Sequence, residues 1–416
     1  MKISFLDPGL LGKGEHSYSL IRQVGEALTR RGVGWRVFAP RAARPEVLAE
    51  LGATAHFRRS LYESVGASSN EWRLRRALAF LAMRRFDPDA PTEHASARLL
   101  NREFREDFLA LPADARETCL VVLPAVSQHQ LPGLVEALLA TPPERRPRVL
   151  CQLMFAPDWT PWGRKGRLAP KIYARAFRRA RALTGKCLFF SAENVEIARS
   201  YREAYGVEAA ILPVPFGDVA PARAVPARPV FGFFGYSKCD KGFHLLPEAL
   251  DLCRAKKLEA DFVVQVQHGG WEPATIAAER RLRASGAARL LDGALSDADY
   301  AAETARVDAM LLPYDPALFG LRGSGVFTQS AAAGRPVVAA QGTFAAAAIA
   351  RGEAEGEIFS PYDARSFAAA ILRLAARLPS AHARASALAA DFARAHGAEA
   401  YADVLLSFAG ERPPAT

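Results

Sequence analysis

The residues whose types and spacing best suit chemistry lie between Tyr314 and Ala339. An apolar run, Asp308–Pro313, reads as a buried strand, and it ends in a loop carrying Gly320, Arg322 and Gly323. Ser324 has the character of an N-cap for a short helix that Gly334 closes and Pro336 keeps from continuing. A second buried strand, Pro336–Ala340, follows. The first amides of such a helix, at Gly325, Val326 and Phe327, have no intrahelical acceptor, and the helix dipole adds partial positive charge at the same point. Arg322 can add a planar fork of donors, and Gly325 leaves room for a phosphate oxygen to reach the backbone. The stretch therefore suits an anion. Taken alone, it is equally an ordinary capped helix in an α/β sheet.

A second glycine-rich turn lies near the start. Ile3–Leu6 reads as a strand, Asp7–His16 as a loop with Gly9, Gly12 and Gly14, and Leu20–Leu28 as a helix ended by Gly32. Trp35–Ala39 completes a strand–helix–strand opening, a common setting for a ligand. The loop is not the strict G-x-G-x-x-G pattern, and no acid sits cleanly at the end of the second strand. A nicotinamide dehydrogenase is therefore disfavoured.

These residues need a scaffold, and the alternation of strands and helices supplies one. Leu120–Pro124, Val149–Met154, Cys187–Ser191 and Ala210–Pro213 read as further strands of a first sheet. The proline-rich stretch Pro213–Pro229 is the clearest domain boundary. Beyond it the pattern restarts with a strand at Val230–Phe234, a loop at Gly235–Gly242 and a helix at Phe243–Ala255. Strands follow at Asp261–Gln267, Ala288–Leu291, Asp308–Leu312 and Glu357–Ser360, then a long helix at Arg365–Leu378. The fold class is α/β, with a mostly parallel, doubly wound sheet in each half. Two such domains are expected to face a central cleft.

The whole chain agrees with this division. At 416 residues it exceeds one compact core. Its five cysteines, Cys119, Cys151, Cys187, Cys239 and Cys253, form no Cys-x-x-Cys pair and indicate neither a zinc site nor a disulfide framework. The formal charge of +10 favours anionic partners. No apolar run reaches the roughly 20 residues of a membrane span, and the first residues meet an acid and a proline before a signal core could form. A cytoplasmic location is expected. Two segments are basic and amphipathic, Trp72–Arg85 and Gly163–Lys186; the second carries nine Lys and Arg with no acid between them. Read as a helix, it could rest on anionic headgroups at the inner membrane face, or simply present a solvated side. Neither segment interleaves aromatics on its basic face, so nucleic acid is not an expected partner.

With these elements in place the chain resembles a known family. The loop Phe234–Gly242, the stretch Leu291–Tyr300, the strand ending at Pro313 and the segment Arg322–Val338 match, in order, the GT-B fold glycosyltransferases. The Gly14-Glu15-His16 loop and the Leu212-Pro213 linker entry also fit. The resemblance is to the retaining family 4 (glycosyltransferase group 1) enzymes, and its carboxyl-terminal half is the specific part. It implies an N-terminal acceptor domain over 1–215, a donor domain over 216–395, and a helix and tail over 396–416 that could return to the first domain.

The resemblance places Lys241 on the donor diphosphate with Lys238 as a second cation, inside the Gly235–Gly242 loop. Gly325, Val326 and Phe327 would offer their amides to the same phosphates, beside Arg322 and Ser324. Gly12 and Gly14 would lie at the cleft floor. Glu15, His16 and Asp158 are the candidates for acceptor-side chemistry: His16 could orient an acceptor hydroxyl or merely start its helix, and Asp158 could face the cleft or serve a turn. The family usually carries glutamates where this chain has Leu321 and Gln329, and the Gln329 position is the one that meets both ribose hydroxyls.

The resulting expectation is a metal-independent, retaining hexosyl transfer from a nucleotide-diphosphate-sugar, with no cofactor beyond that donor. The acceptor would be a polysaccharide or lipid-linked glycan precursor in a bacterial cell. Two alternatives remain open: a sugar-nucleotide epimerase of related fold, and a non-catalytic GT-B binding subunit. The departures at Leu321 and Gln329 are what keep the second of these open. Product analysis would separate the first, and a nucleotide titration the second.

Overall fold

The computed structural model describes residues 1–13, 16–61, 74, 77–78, 81, 92–159, 168–213, 215–216, 219–270 and 272–410. The chain divides into two compact units, Met1–Pro215 with Ala398–Thr416, and Phe216–Gly397.

Among the described residues the first unit is built on seven strands: β1 (Lys2–Leu6), β2 (Gly34–Pro40), β3 (Thr54–Phe57), β4 (Leu120–Leu123), β5 (Val149–Leu153), β6 (Leu188–Ala192) and β7 (Ala210–Ile211). They are ordered β3-β2-β1-β4-β5-β6-β7. The second has β8 (Val230–Phe233), β9 (Asp261–Val266), β10 (Arg289–Asp292), β11 (Ala309–Leu312), β12 (Val337–Ala340) and β13 (Gly356–Phe359). Their order is β10-β9-β8-β11-β12-β13. Every strand pairing among the described residues is parallel.

The residue types explain this. Parallel sheets are covered by helices on both faces, so their central strands must be apolar throughout. β4, β5, β6, β11 and β12 are buried at every position. In the second unit successive residues point to opposite layers. Phe231, Phe233, Leu311 and Val338 enter a core with Phe243, Leu250, Phe367 and Ile371. Phe234, Met310, Leu312 and Val337 enter the other, with Phe327, Phe344 and Phe392. In the first unit, β1 and the helix His16–Arg30 share a core with the last helix, Ala398–Ala409, through Tyr401, Leu405 and Phe408. Tyr401 donates to Gln152 at 2.6 Å, and Arg31 pairs with Glu399 at 2.8 Å.

Each sheet changes direction at one place. β1 lies between β2 and β4, and β8 between β9 and β11. Helices after the paired strands leave to opposite faces there, opening a crevice at the strands' carboxyl ends where ligands bind. The loops after β8 and β11 therefore meet at the switch point of the second unit.

The structure corrects several sequence readings. β3 was not anticipated. The expected helix Arg365–Leu378 is Ala364–Ala376, and a separate, unanticipated helix runs from Leu378 to His396. The basic segment Gly163–Lys186 does not form one helix in its described part: the helix is Leu168–Ala180, and Arg181 and Lys186 fall in the turns that follow. Its run of positive charge is also broken in space, because Arg179 pairs with Glu136 at 2.6 Å. Most of Trp72–Arg85, and residues 163–167, lie outside the described residues. No helix among the described residues is long and apolar enough to cross a membrane.

Candidate functional site

The loop after β8 is held from three sides. Gly235 donates its amide to Gln265 Oε1 at 2.9 Å. Gln265 Nε2 donates to the Gly293 carbonyl at 3.0 Å and to Gln267 Oε1 at 3.1 Å. Gln265 lies near the end of β9, so one carboxamide ties together the loops that follow β8 and β10. A single helical turn, Cys239–Lys241, then ends at Gly242 with φ 71°. A Cβ on Gly242 would lie 1.8 Å from the Pro313 carbonyl oxygen, so only glycine lets this loop lie against the one after β11. Asp315 N–H donates to the Asp240 carbonyl at 2.8 Å and fastens the two loops together.

Lys241 sits inside this junction. Its Nζ lies 6.0 Å from the Tyr236 ring centre and 5.9 Å from that of Tyr314, within cation–π reach. It is packed so closely on Gly235 that a Cβ there would be 2.7 Å from Nζ. Burial, then the neighbouring Arg322 and, more weakly, Lys238 push this ammonium down to about 8, against the opposing pull of Asp240. A lysine so placed is short of counter-charge, and an arriving anion relieves it. Lys238 Nζ lies 5.3 Å from the Tyr236 ring centre, and Arg322 covers Phe319 at 4.9 Å with its guanidinium 3.8 Å from Asp240.

The helix Gly325–Ala332 completes the site. Ser324 caps it, its Oγ accepting from Phe327 N–H at 3.2 Å and donating to Tyr314 Oη at 3.3 Å. This corrects one expectation. The Phe327 amide is occupied by the cap, leaving the amides of Gly325 and Val326 as the open donors of the first turn. Gln329 lies one turn further along the same half-buried face as Gly325, and its Oε1 accepts from Tyr300 Oη at 2.9 Å. Leu321 is half-buried in the preceding loop. The structure thus brings together Gly235, Lys238, Lys241, Gly242, Arg322, Ser324, Gly325 and Val326.

In the first unit the candidates are less connected. Gly12 is buried, and a Cβ there would lie 3.7 Å from Arg44 Nε. Gly14 and Glu15 lie outside the described residues; His16 opens its helix, with its side chain also outside them. Asp158 is half-buried in a turn closed by Trp159 N–H donating to Ala156 O at 2.9 Å, beside the stacked rings of Phe155 and Trp159. The loops bearing Gly12 and Asp158 follow β1 and β5, with β4 between those strands.

Sequence reasoning missed several polar residues at these strand ends. Asp7 is fully buried and accepts from Gly9 N–H at 2.8 Å. Ser127, Gln128, His129 and Gln130, after β4 at the switch point of the first unit, are all buried. Ser127 Oγ donates to Gln130 Oε1 at 2.6 Å, and burial pushes the His129 imidazole down to about 4, so it is neutral near pH 7. Four consecutive polar residues, three positions past an apolar strand, were the available signal. Tyr300, Tyr314 and Gln265 left none, since each acts through a distant partner.

The two sheets and their connections define the GT-B fold, and solved structures share it along the full chain. The sucrose-phosphate synthase of Thermosynechococcus elongatus superposes with a TM-score of 0.62 at 13% identity, covering 98% of each chain. Anabaena HepE in complex with UDP-glucose gives 0.62 at 15%, covering 98% of this chain and 99% of that one. A trehalose-6-phosphate protein from E. coli bound with UDP-2-fluoro glucose gives 0.62 at 13%, covering 100% of both. More specifically, residues 228–377, all within the second unit, match the family described as glycosyl transferases group 1. No curated protein matches the sequence.

Proposed function

We propose that the chain transfers a sugar from a nucleotide-diphosphate-sugar to an acceptor hydroxyl. The observation that carries this reading is Lys241, a half-buried ammonium of lowered pKa packed near Tyr314, whose hydroxyl meets the Ser324 cap of the helix Gly325–Ala332. It stands at a sheet switch point within the segment that matches glycosyl transferases group 1. Two structures of the same fold hold UDP-glucose and UDP-2-fluoro glucose, which supports a nucleotide sugar as the ligand here.

Breaking the bond from the anomeric carbon to the diphosphate leaves negative charge on the departing oxygens. Lys241, the two amides and the dipole of the helix are fixed before the reaction and stabilise that charge as it develops. Lys238 and Arg322 add positive charge nearby, and on this reading the transfer proceeds without a divalent cation and with retained anomeric configuration. The acceptor is a glycan or lipid-linked precursor. Lys171, Arg175 and Arg178, exposed along the helix Leu168–Ala180, suit peripheral contact with an anionic membrane on the cytoplasmic side.

The test is release of nucleoside diphosphate from UDP-glucose, GDP-mannose and ADP-glucose, with and without EDTA, in the presence of extracted lipid-linked glycans. One donor should turn over to a product of unchanged anomeric configuration, EDTA should not matter, and Lys241→Met should abolish the signal. The lack of a carboxylate at both Leu321 and Gln329 keeps open a second reading, in which the chain binds the nucleotide without turnover. Tight binding of a nucleotide sugar with no transfer to any glycan fraction would select it.

A further inference from the structure

The second unit carries a basic cavity at the end of its sheet opposite the loops after β8 and β11. Its volume is about 720 Å³, and it lies where the first residues of β8, β9 and β10 (Val230, Asp261 and Arg289) come side by side. Those strands are four to six residues long. At about 3.3 Å per residue, they set the cavity roughly 13–20 Å from the loops at their carboxyl ends. Five arginines line it, brought from separate parts of the chain. Arg223 and Arg228 come from the segment leading into β8, Arg254 from the helix Leu246–Ala255, Arg289 from β10, and Arg306 from the turn before β11.

The acids nearby do not cancel this charge. Arg223 pairs with Asp308 at 3.0 Å and Arg228 with Asp261 at 2.8 Å, while Arg289 and Arg306 share Glu303. Arg254 has no carboxylate partner among the described residues; its Nη1 donates to the Ser285 carbonyl at 2.9 Å. Five guanidinium groups thus meet three carboxylates. Glu259 also pulls on Arg228, but Lys256 and Lys257 precede it in the chain and outnumber it. Asp308 is buried and Glu303 half-buried, whereas all five arginines are exposed. The two acids therefore lie on the protein side and leave positive charge toward the cavity. A guanidinium held along one edge by a carboxylate keeps donors on the other. Like charges gathered in this way repel one another, and an anion relieves them.

We propose that this cavity binds a small metabolite carrying at least two phosphate groups, at a site separate from the one around Lys241. The volume is that of a small-molecule pocket. The planar guanidinium fork matches a phosphate, and arginines spread over several chain segments suit several phosphates rather than one. A bound polyanion joins the segment Arg223–Arg228 to the helix and strand that carry Arg254 and Arg289. Because it binds only the folded chain, it stabilises the second unit.

The probes are fructose 1,6-bisphosphate, fructose 1-phosphate and a short single-stranded oligodeoxynucleotide. Each is titrated calorimetrically at low salt into the wild type, Lys241→Met, Arg254→Ala and the double variant Arg228→Ala/Arg254→Ala. Removing these two arginines strands no buried acid, since Asp261 is exposed and Arg254 pairs with none. The double variant should therefore unfold in urea at the same midpoint as the wild type. The bisphosphate should bind the wild type and Lys241→Met alike, at least about 10-fold more tightly than the monophosphate, and more weakly as salt rises. Its affinity should fall by about 10- to 100-fold in the double variant, with part of that loss in Arg254→Ala. Bisphosphate affinity that survives the double substitution overturns the proposal. So does affinity that vanishes with Lys241→Met, which places the anion in the loops after β8 and β11. Equal affinity for the two sugar phosphates, or no binding of the bisphosphate, also overturns it. An oligonucleotide that binds more tightly than the bisphosphate and is lost in the double variant overturns it in favour of a nucleic-acid face.

Discussion

Replacing Lys241 by methionine should make the protein more stable and a poorer ligand binder at the same time. The ammonium is pushed from its ordinary 10.5 down to about 8, chiefly by burial. At about 1.4 kcal/mol per tenfold change in equilibrium, that drop corresponds to about 3 kcal/mol of stability forgone by keeping the group charged. The sign follows from proton counts. Between pH 8 and 10.5 the unfolded lysine holds more proton than the folded one, so stability rises with pH across that window. Below pH 8 the full penalty applies. Methionine keeps much of the stem's packing and removes the charge, so Lys241→Met should gain up to about 3 kcal/mol at pH 7, shrinking as pH rises beyond 8. Binding moves the other way. Loss of a charge-assisted contact of about 1.5–3 kcal/mol weakens a nucleotide sugar by roughly 10- to 100-fold. In the wild type that affinity should also fall above pH 8, by up to about tenfold per pH unit, because the neutral amine must be protonated for the contact. The variant should show no such slope. Urea unfolding at pH 7 and 9.5 gives the stabilities, and calorimetry from pH 7 to 9 gives the affinities. A variant less stable than the wild type at pH 7, or one that binds equally well, would refute the reasoning.

Gly242→Ala should cost of order 3 kcal/mol or more in urea unfolding, since it combines a left-handed backbone with a methyl 1.8 Å from the Pro313 carbonyl oxygen; a change below 1 kcal/mol, on an order-of-magnitude scale, would mean the two loops are not packed as described. Charge reversal at Lys171, Arg175 and Arg178 together should remove salt-sensitive sedimentation with anionic vesicles, because each basic residue near such a surface contributes about 1 kcal/mol. Equal sedimentation of the wild type with neutral and anionic vesicles at every salt concentration counts against membrane contact. Gln265→Leu leaves the Gly235 amide and the Gly293 carbonyl without this partner. It should weaken nucleotide and pyrophosphate binding together, because the same loop carries Lys241, and titration of both probes would show this.

Much of the second unit was legible because its signals are local. A serine ahead of a short helix, glycines at tight turns and uninterrupted apolar runs each follow from a few neighbouring residues. The readings that failed have physical reasons. β3, Thr54-Ala55-His56-Phe57, is a short edge strand that buries only its last residue, so it shows no apolar run. The helix Leu378–His396 was hidden by Pro379, which reads as a breaker but sits in the first turn, where its missing N–H costs nothing. The segment Gly163–Lys186 looked continuous because charge was the only signal followed; Gly185 has φ 77° and belongs to a turn. Tyr300 and Gln265 could not be found from spacing. One donates to Gln329 and the other accepts from Gly235, about thirty residues away in each case, through pairings that exist only once the sheet has formed.

The most direct measurement of the central claim is a crystal structure of the full chain with a bound nucleotide diphosphate sugar. The account predicts its diphosphate within hydrogen-bond distance of Lys241 Nζ and of the Gly325 and Val326 amides. A nucleotide bound away from the loops after β8 and β11, or a diphosphate that leaves Lys241 and that helix start untouched, would contradict it.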